Sequence, residues 1–153
     1  MAEVPLKIDE RVEQLVRDAL HWAVKRQPAE FDEALKAFSD ESARRSALEL
    51  LVAISAFVST DICGGKPSPE QIQELAVEVA EAEAWSSATS PEVEAFLGAA
   101  LTGRPLSGVL PAGSPVILAF VVAASLLSAG PKPAGEWWFN YLDKVEAAIE
   151  AAG

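Results

Sequence analysis

Hydrophobic residues recur along this chain at intervals of three and four positions, the spacing of one face of an α-helix. No stretch alternates apolar and polar residues for long enough to predict a β-strand. The pattern therefore predicts an all-α protein. The first such stripe consists of Ile8, Val12, Leu15, Val16, Ala19 and Ala23.

Local start and stop signals divide the periodic pattern into seven helical segments. Ser68, Pro69 and Gln71 combine an N-cap serine, a proline at the first helical position and the partner residue of a capping box. The glycines at 64 and 65 stop the preceding segment, as a left-handed C-cap does. The predicted segments are approximately 9–26, 28–38, 40–62, 68–84, 90–102, 114–129 and 134–152.

Two of these segments, about 40–62 and 114–129, differ from the others because they contain long stretches without a polar face. Residues 50–58 and most of 114–129 are apolar all round. A helix of this kind is expected to be buried. We therefore predict a single-domain bundle over residues 1–153, with these two helices at its centre and five amphipathic helices around them.

Neither a membrane span nor a leader is predicted. The best candidate for a span, 116–129, has about 14 apolar residues, whereas a bilayer requires about 20. The first nine residues lack the basic and apolar regions of a signal peptide.

The single cysteine, Cys63, rules out an intrachain disulfide and suits a reducing compartment. We predict a cytoplasmic protein.

Charge narrows the range of partners. The chain has 23 acidic and 12 basic residues, for a net charge of −11. Nucleic acids and anionic membranes require clustered bases, and the densest basic pair, Arg44 and Arg45, is followed by an apolar run. The acidity either serves solubility or attracts a basic protein partner.

No metal or cofactor is predicted. One histidine and one cysteine cannot form a Cys/His zinc site. His21 falls opposite the apolar stripe of its helix and is expected to face solvent. The fourth segment has a carboxylate row that is expected to be a solvated face, because a magnesium site needs converging ligands. The row consists of Glu70, Glu74, Glu78 and Glu81.

Asp61 is the strongest candidate for chemistry. It lies on the apolar face of the third segment, near the negative end of the helix dipole. A hydrogen bond that closes the turn, or a pair with Lys66 or Arg104, would explain it structurally. Alternatively it is a general base beside a ligand pocket. Cys63 would then be a candidate nucleophile, although no histidine lies near it in the sequence and a buried structural thiol explains it equally.

Glu83 raises a similar question. It continues the apolar face of the fourth segment close to the end of the helix, where negative charge is unfavourable. Either the helix ends before Glu83, or the carboxylate is partly buried and its pKa is perturbed. Asp61, Glu83 and Arg104 are therefore candidate ligand-binding residues for a pocket between the two apolar helices, which would suit a small apolar ligand.

Aromatic residues concentrate at the start of the seventh segment. Trp138 follows core spacing, whereas Trp137 and Tyr141 lie one turn apart on a neighbouring face. These two rings either dock onto the core or form an exposed anchor for a partner or a second copy.

Two hypotheses follow. The first is a small acidic interaction or regulatory module that is not an enzyme and that binds a protein partner or itself through Trp137 and Tyr141. It predicts that both rings are exposed. The second is a small-molecule-binding or enzymatic domain with a site near Asp61, Cys63 and Arg104. It predicts an enclosed cavity with Asp61 in its wall.

Overall fold

The computed structural model describes residues 9–38, 40–103, 115–130 and 135–152. Within these ranges the chain is helical and contains no β-strand, so the predicted all-α class is confirmed. A single turn of 3-10 helix, Ala84–Ser86, follows the fourth helix. The seven α-helices are α1 (Glu10–Val24), α2 (Pro28–Leu35), α3 (Glu41–Cys63), α4 (Pro69–Ala82), α5 (Ser90–Thr102), α6 (Pro115–Ala129) and α7 (Trp138–Ala152).

The capping signals explain most of these boundaries. Ser68 and Gln71 form the predicted capping box of α4: the backbone N–H of Gln71 donates to Ser68 Oγ at 3.2 Å, and that of Ser68 donates to Gln71 Oε1 at 2.9 Å. Gly64, with a φ of 72°, ends α3 in the left-handed conformation. Asp40 caps α3, accepting a hydrogen bond of 2.7 Å from the backbone N–H of Ala43. The helix start predicted at 114 and the loop that contains Arg104 lie outside the described residues.

Helices α3 and α6 pack together and run parallel. Leu48, in the first half of α3, lines the same groove as Ile117 at the start of α6. At the other end, Tyr141 of α7 packs on Gly130, just after α6, and its hydroxyl reaches Asp61 near the end of α3. The predicted central position holds best for α6, which contacts α1, α3, α4, α5 and α7 and is buried from Leu118 to Leu127.

One face of α3 is left uncovered. Phe57 is 39% exposed, and Ala53 and Ala56 on the same side are half-buried. The expectation that residues 50–58 are buried all round is therefore wrong for this face. Packing explains the difference: α1, α5, α6 and α7 contact α3, and none of them covers the line through Ala53 and Phe57.

Among the described helices, α3 is the one long and apolar enough to cross a membrane, with a mean hydropathy of 1.6 over its most apolar window. The sequence had placed the best candidate in α6, which has 15 residues. The core helix of a soluble protein has the same length and composition, so this property is only weak evidence for a membrane span.

A partly buried polar cluster connects α1 to α7. One guanidinium nitrogen of Arg17, Nη2, lies 2.8 Å from Glu13 Oε2, 2.8 Å from Asp143 Oδ1 and 3.2 Å from Glu146 Oε1. Glu146 is 9% exposed, and among the described residues no donor reaches its second oxygen, Oε2. The cluster therefore holds three carboxylates around a single cation.

A proton on Glu146 resolves this crowding. Two ionised carboxylates offer only acceptors, whereas a protonated Glu146 can donate a hydrogen bond to Glu13. Burial, followed by this hydrogen bond and the charge of Glu13, raises the pKa of Glu146 to about 8. The folded protein therefore keeps this proton at neutral pH, whereas the unfolded chain releases it near the ordinary glutamate pKa of 4.5.

This difference predicts how stability depends on pH. The contribution of Glu146 is complete below the unfolded pKa and is lost as the pH rises towards 8. As the pH rises between these two pKa values, the loss of this contribution lowers the free energy of unfolding by up to about 1.4 kcal/mol per pH unit. Because glutamine mimics the neutral acid, the Glu146→Gln variant should match the wild type near pH 5 and become progressively more stable than it towards pH 8. Urea unfolding at several pH values measures this difference.

The matched control is Glu150→Gln, because Glu150 lies on the same helix but is exposed. This variant should keep the pH dependence of the wild type. A difference between Glu146→Gln and wild type that stayed constant from pH 5 to pH 8 would contradict a retained proton.

Candidate functional site

The uncovered face of α3 forms the floor of a groove of about 720 Å³, which we call the α3 groove. Its floor positions recur every three or four residues, as one face of a helix requires. From Ala53 to Gly64 they span about 16 Å at the helical rise of about 1.5 Å per residue. The floor consists of Ala53, Ala56, Phe57, Thr60, Asp61 and Gly64, and the edges are formed by Gly65, Lys66, Leu101 of α5, and Ala148 and Ile149 of α7.

Tyr141 fixes α7 beside this groove. Its ring is 5% exposed, and its hydroxyl donates to Asp61 Oδ2 at 2.5 Å. Burial, together with the Asp61 carboxylate, raises the pKa of the Tyr141 hydroxyl above its ordinary value. A Cβ at Gly130 would overlap the Tyr141 ring, so this close approach requires glycine. Tyr141, in the first turn of α7, therefore contacts the C-terminal ends of both α3 and α6.

The structure places Asp61 on the floor of an open groove. The side chain is exposed, and its hydrogen-bond partner is Tyr141. The sequence had offered a bond within the turn, or a pair with Lys66 or Arg104. Lys66 lines the same groove without an ion pair to Asp61, and Arg104 lies outside the described ranges. The expected enclosed cavity around Asp61 is therefore replaced by a solvent-open surface.

Cys63 lies apart from the lining of the α3 groove. It is half-buried, and burial followed by the charges of Glu74 and Glu78 raises the pKa of its thiol. A nucleophilic cysteine requires the opposite environment, in which nearby positive charge stabilises the thiolate. These surroundings favour the structural interpretation of Cys63.

The structure shows both that helix α4 ends before Glu83 and that the Glu83 side chain is buried. Helix α4 ends at Ala82, and the Glu83 side chain, which follows it, is only 2% exposed. Its carboxylate lies 3.1 Å from Arg26 Nη2 and accepts a hydrogen bond of 2.8 Å from Trp85 Nε1. Arg26 also donates to the Ala82 carbonyl at 3.1 Å. Glu83 thus joins the end of α4 to the turn between α1 and α2, away from the α3 groove.

The aromatic start of α7 differs from the prediction at one position. Trp137 is 66% exposed, as the interaction hypothesis requires. Tyr141 is buried, so the expectation of an exposed pair at Trp137 and Tyr141 is wrong for Tyr141. Phe139, at 42% exposed, lies on the surface instead, and Trp138 is buried in the core as predicted. Helical spacing alone could not reveal that Gly130 leaves room for the Tyr141 ring.

Metal ligands do not converge in the described part of the chain, where no group of three or more His, Cys, Asp or Glu side chains is arranged to hold an ion. His21, expected to face solvent, is half-buried against Trp22, with ring centroids 4.8 Å apart. The carboxylate row on α4 is exposed, as predicted for a solvated face.

Acidic side chains flank the α3 groove. Glu49 is exposed and lies one helical turn before Ala53, on the same face of α3. Asp61 adds a second carboxylate, and Lys66 is the base that lines the groove. Together with the net charge of −11, this arrangement favours a positively charged ligand.

Comparison of the chain with protein-family models, curated proteins and solved structures finds no match in any of the three. The functional argument therefore rests on the shape, exposure and charge of the α3 groove.

The bonds of Glu83 predict a structural role that a single substitution tests. Glu83→Ala leaves the Trp85 N–H without its acceptor and Arg26 without its carboxylate, and should lower the free energy of unfolding by about 1–3 kcal/mol. Urea unfolding measures the change. Glu81→Ala, at an exposed position in the last turn of α4, should shift the free energy of unfolding by less than about 0.5 kcal/mol. Equal effects of the two substitutions would contradict the structural role of Glu83.

Proposed function

We propose that this chain is a cytoplasmic protein-interaction module whose α3 groove binds an amphipathic helix of a basic protein. The observation that carries the proposal is the apolar face of α3, which α5 and α7 flank without covering. A partner helix of three turns would be about 16 Å long, the length of the groove floor. Its apolar side chains at positions i, i+3, i+4 and i+7 would face α3.

The groove has the shape that a helix requires. Ala53 and Ala56 on the floor and Ala148 on the edge have short side chains, which allow two helices to approach closely. Phe57 protrudes from the floor and offers a ring for packing. A drug-sized ligand is generally buried over 70–90% or more of its surface, whereas this groove is elongated and open along one side.

Charge favours a basic partner over a second copy of the chain. Glu49 and Asp61 lie along the groove and would attract lysines and arginines that flank the apolar face of a partner helix. Two copies would each bring a net charge of −11 to the interface and repel each other. The module would thus act as a regulator or accessory subunit of a basic protein.

The exposed aromatic pair extends this surface. The bond between Tyr141 and Asp61 brings the first turn of α7 to the Gly64 end of the groove. Trp137 lies directly before that turn, and Phe139 is the second residue of the helix. Tryptophan is among the residues most often found at the energetic centre of interfaces, so Trp137 supplies an anchor beside the groove.

A designed peptide tests the groove directly. The probe is a fluorescently labelled helix of four turns, with leucines on one face and lysines on both sides of that face. We expect the wild type to bind it at low salt, and Phe57→Ala to weaken binding by at least about fivefold. Ala56→Trp, which fills the floor, should abolish binding. Fluorescence anisotropy measures the dissociation constants, and circular dichroism verifies that each variant is folded.

The control is Val77→Ala, because Val77 is another exposed apolar residue, on α4, at 46%. This variant should bind the peptide as the wild type does, and a peptide with glutamates in place of the lysines should bind at least about tenfold more weakly. Failure of the wild type to bind, or equal binding by Phe57→Ala and wild type, would overturn the proposal.

A small apolar ligand in the same groove is the second candidate. Asp61 and Lys66 lie together at one end of an apolar surface, and the volume falls within the range of about 300–1,000 Å³ found for ligand pockets. Native mass spectrometry of gently purified protein distinguishes the two. An excess mass that disappears on denaturation and in Ala56→Trp would favour the small ligand, whereas a bound second protein would favour the interaction module.

A further inference from the structure

A second groove lies at the opposite end of the two central helices. It has a volume of about 580 Å³ and lies between the end of α2, the first half of α3 and the start of α6. We call it the arginine groove. It is lined by Leu35, Phe38, Glu41, Arg44, Arg45, Leu48, Val116 and Ile117.

The charged side of this groove has two neighbouring arginines, Arg44 and Arg45, and one carboxylate, Glu41, which forms an ion pair with neither of them, so its net charge is positive. Arg44 Nη1 donates to the Phe38 carbonyl at 3.0 Å, which holds its guanidinium at the groove. Within the described ranges, neither Arg44 nor Arg45 forms an ion pair with a carboxylate. Guanidinium groups bind carboxylates with two parallel hydrogen bonds and carry several donors each. Donors therefore remain for an anion.

The other side of the groove is apolar and accessible. Ile117 is 47% exposed, and Leu35 and Leu48 are half-buried beside it. Exposing such side chains next to charged groups is typical of a surface that binds a molecule with an apolar part and a charged part. Because α3 and α6 run parallel, the positive ends of their dipoles also lie on this side and add to the attraction for an anion.

We propose that the arginine groove binds a small anionic amphiphile, a fatty-acid-like carboxylate. Its head group pairs with Arg44 and Arg45, and its alkyl chain lies along Leu48 and Ile117. A single negative charge suits this site better than an acidic protein segment, because the remainder of the chain carries a large negative charge that repels polyanions. The site is separate from the α3 groove and does not depend on the function proposed for it.

Laurate, kept below its critical micelle concentration, is the probe. Isothermal titration calorimetry should show one laurate bound per chain, and Arg44→Gln/Arg45→Gln should weaken binding by at least about tenfold. Acetate should show no binding at the same concentration, because it lacks the alkyl chain. In amide NMR spectra, laurate should shift the signals of Leu48 and Ile117.

The matched control is Arg11→Gln, because Arg11 is an exposed arginine of α1 outside the groove. This variant should bind laurate as the wild type does. Absence of laurate binding, or equal affinity in the double variant, would overturn the proposal. Binding to anionic lipid vesicles without binding to monomeric laurate would also overturn it, since the surface would then recognise a membrane. Circular dichroism verifies that the double variant is folded.

Discussion

The architecture depends on one packing constraint: α6 is enclosed by its neighbours from Leu118 to Leu127, whereas the neighbouring α3 is not enclosed to the same extent. Helix α6 contacts α1, α3, α4, α5 and α7, and its Phe120 packs on Phe31 of α2. Helix α3 packs against it in parallel and keeps one face open. Exposed apolar surface costs free energy in water, and the open face that contains Phe57 is the observation on which the proposed binding role rests.

Three polar connections hold the helices that surround this pair. Tyr141 joins α7 to Asp61, Glu83 joins the end of α4 to Arg26, and Arg17 joins α1 to the carboxylates of α7. In each, a buried or half-buried polar group meets a partner from a distant part of the sequence. The net energy of such a bond is small, but the cost of leaving its buried partner unsatisfied is larger. These contacts therefore set the positions of α1, α4 and α7 more than they add to stability.

Charge is distributed unevenly over the two grooves. Carboxylates flank the α3 groove, whereas Arg44 and Arg45 line the groove at the other end of the central helices. The parallel orientation of α3 and α6 matches this distribution, because both helices direct their positive ends towards the arginines. One acidic chain thus presents surfaces of opposite local sign, suited to ligands of opposite charge.

The sequence by itself determined the all-α class, the approximate helix boundaries, the capping box at Ser68 and the burial of α6. These features depend on residues a few positions apart, which the periodicity and the capping rules describe. The sequence pattern also identified Asp61 and Trp137 as candidates, but it did not show that Tyr141 is buried while Phe139 is exposed. Long-range packing places the Tyr141 ring inside, leaves one face of α3 open, and buries Glu146, which raises the pKa of its carboxyl group. Helical spacing identifies the residues that share a face, whereas the helix that covers that face depends on long-range packing.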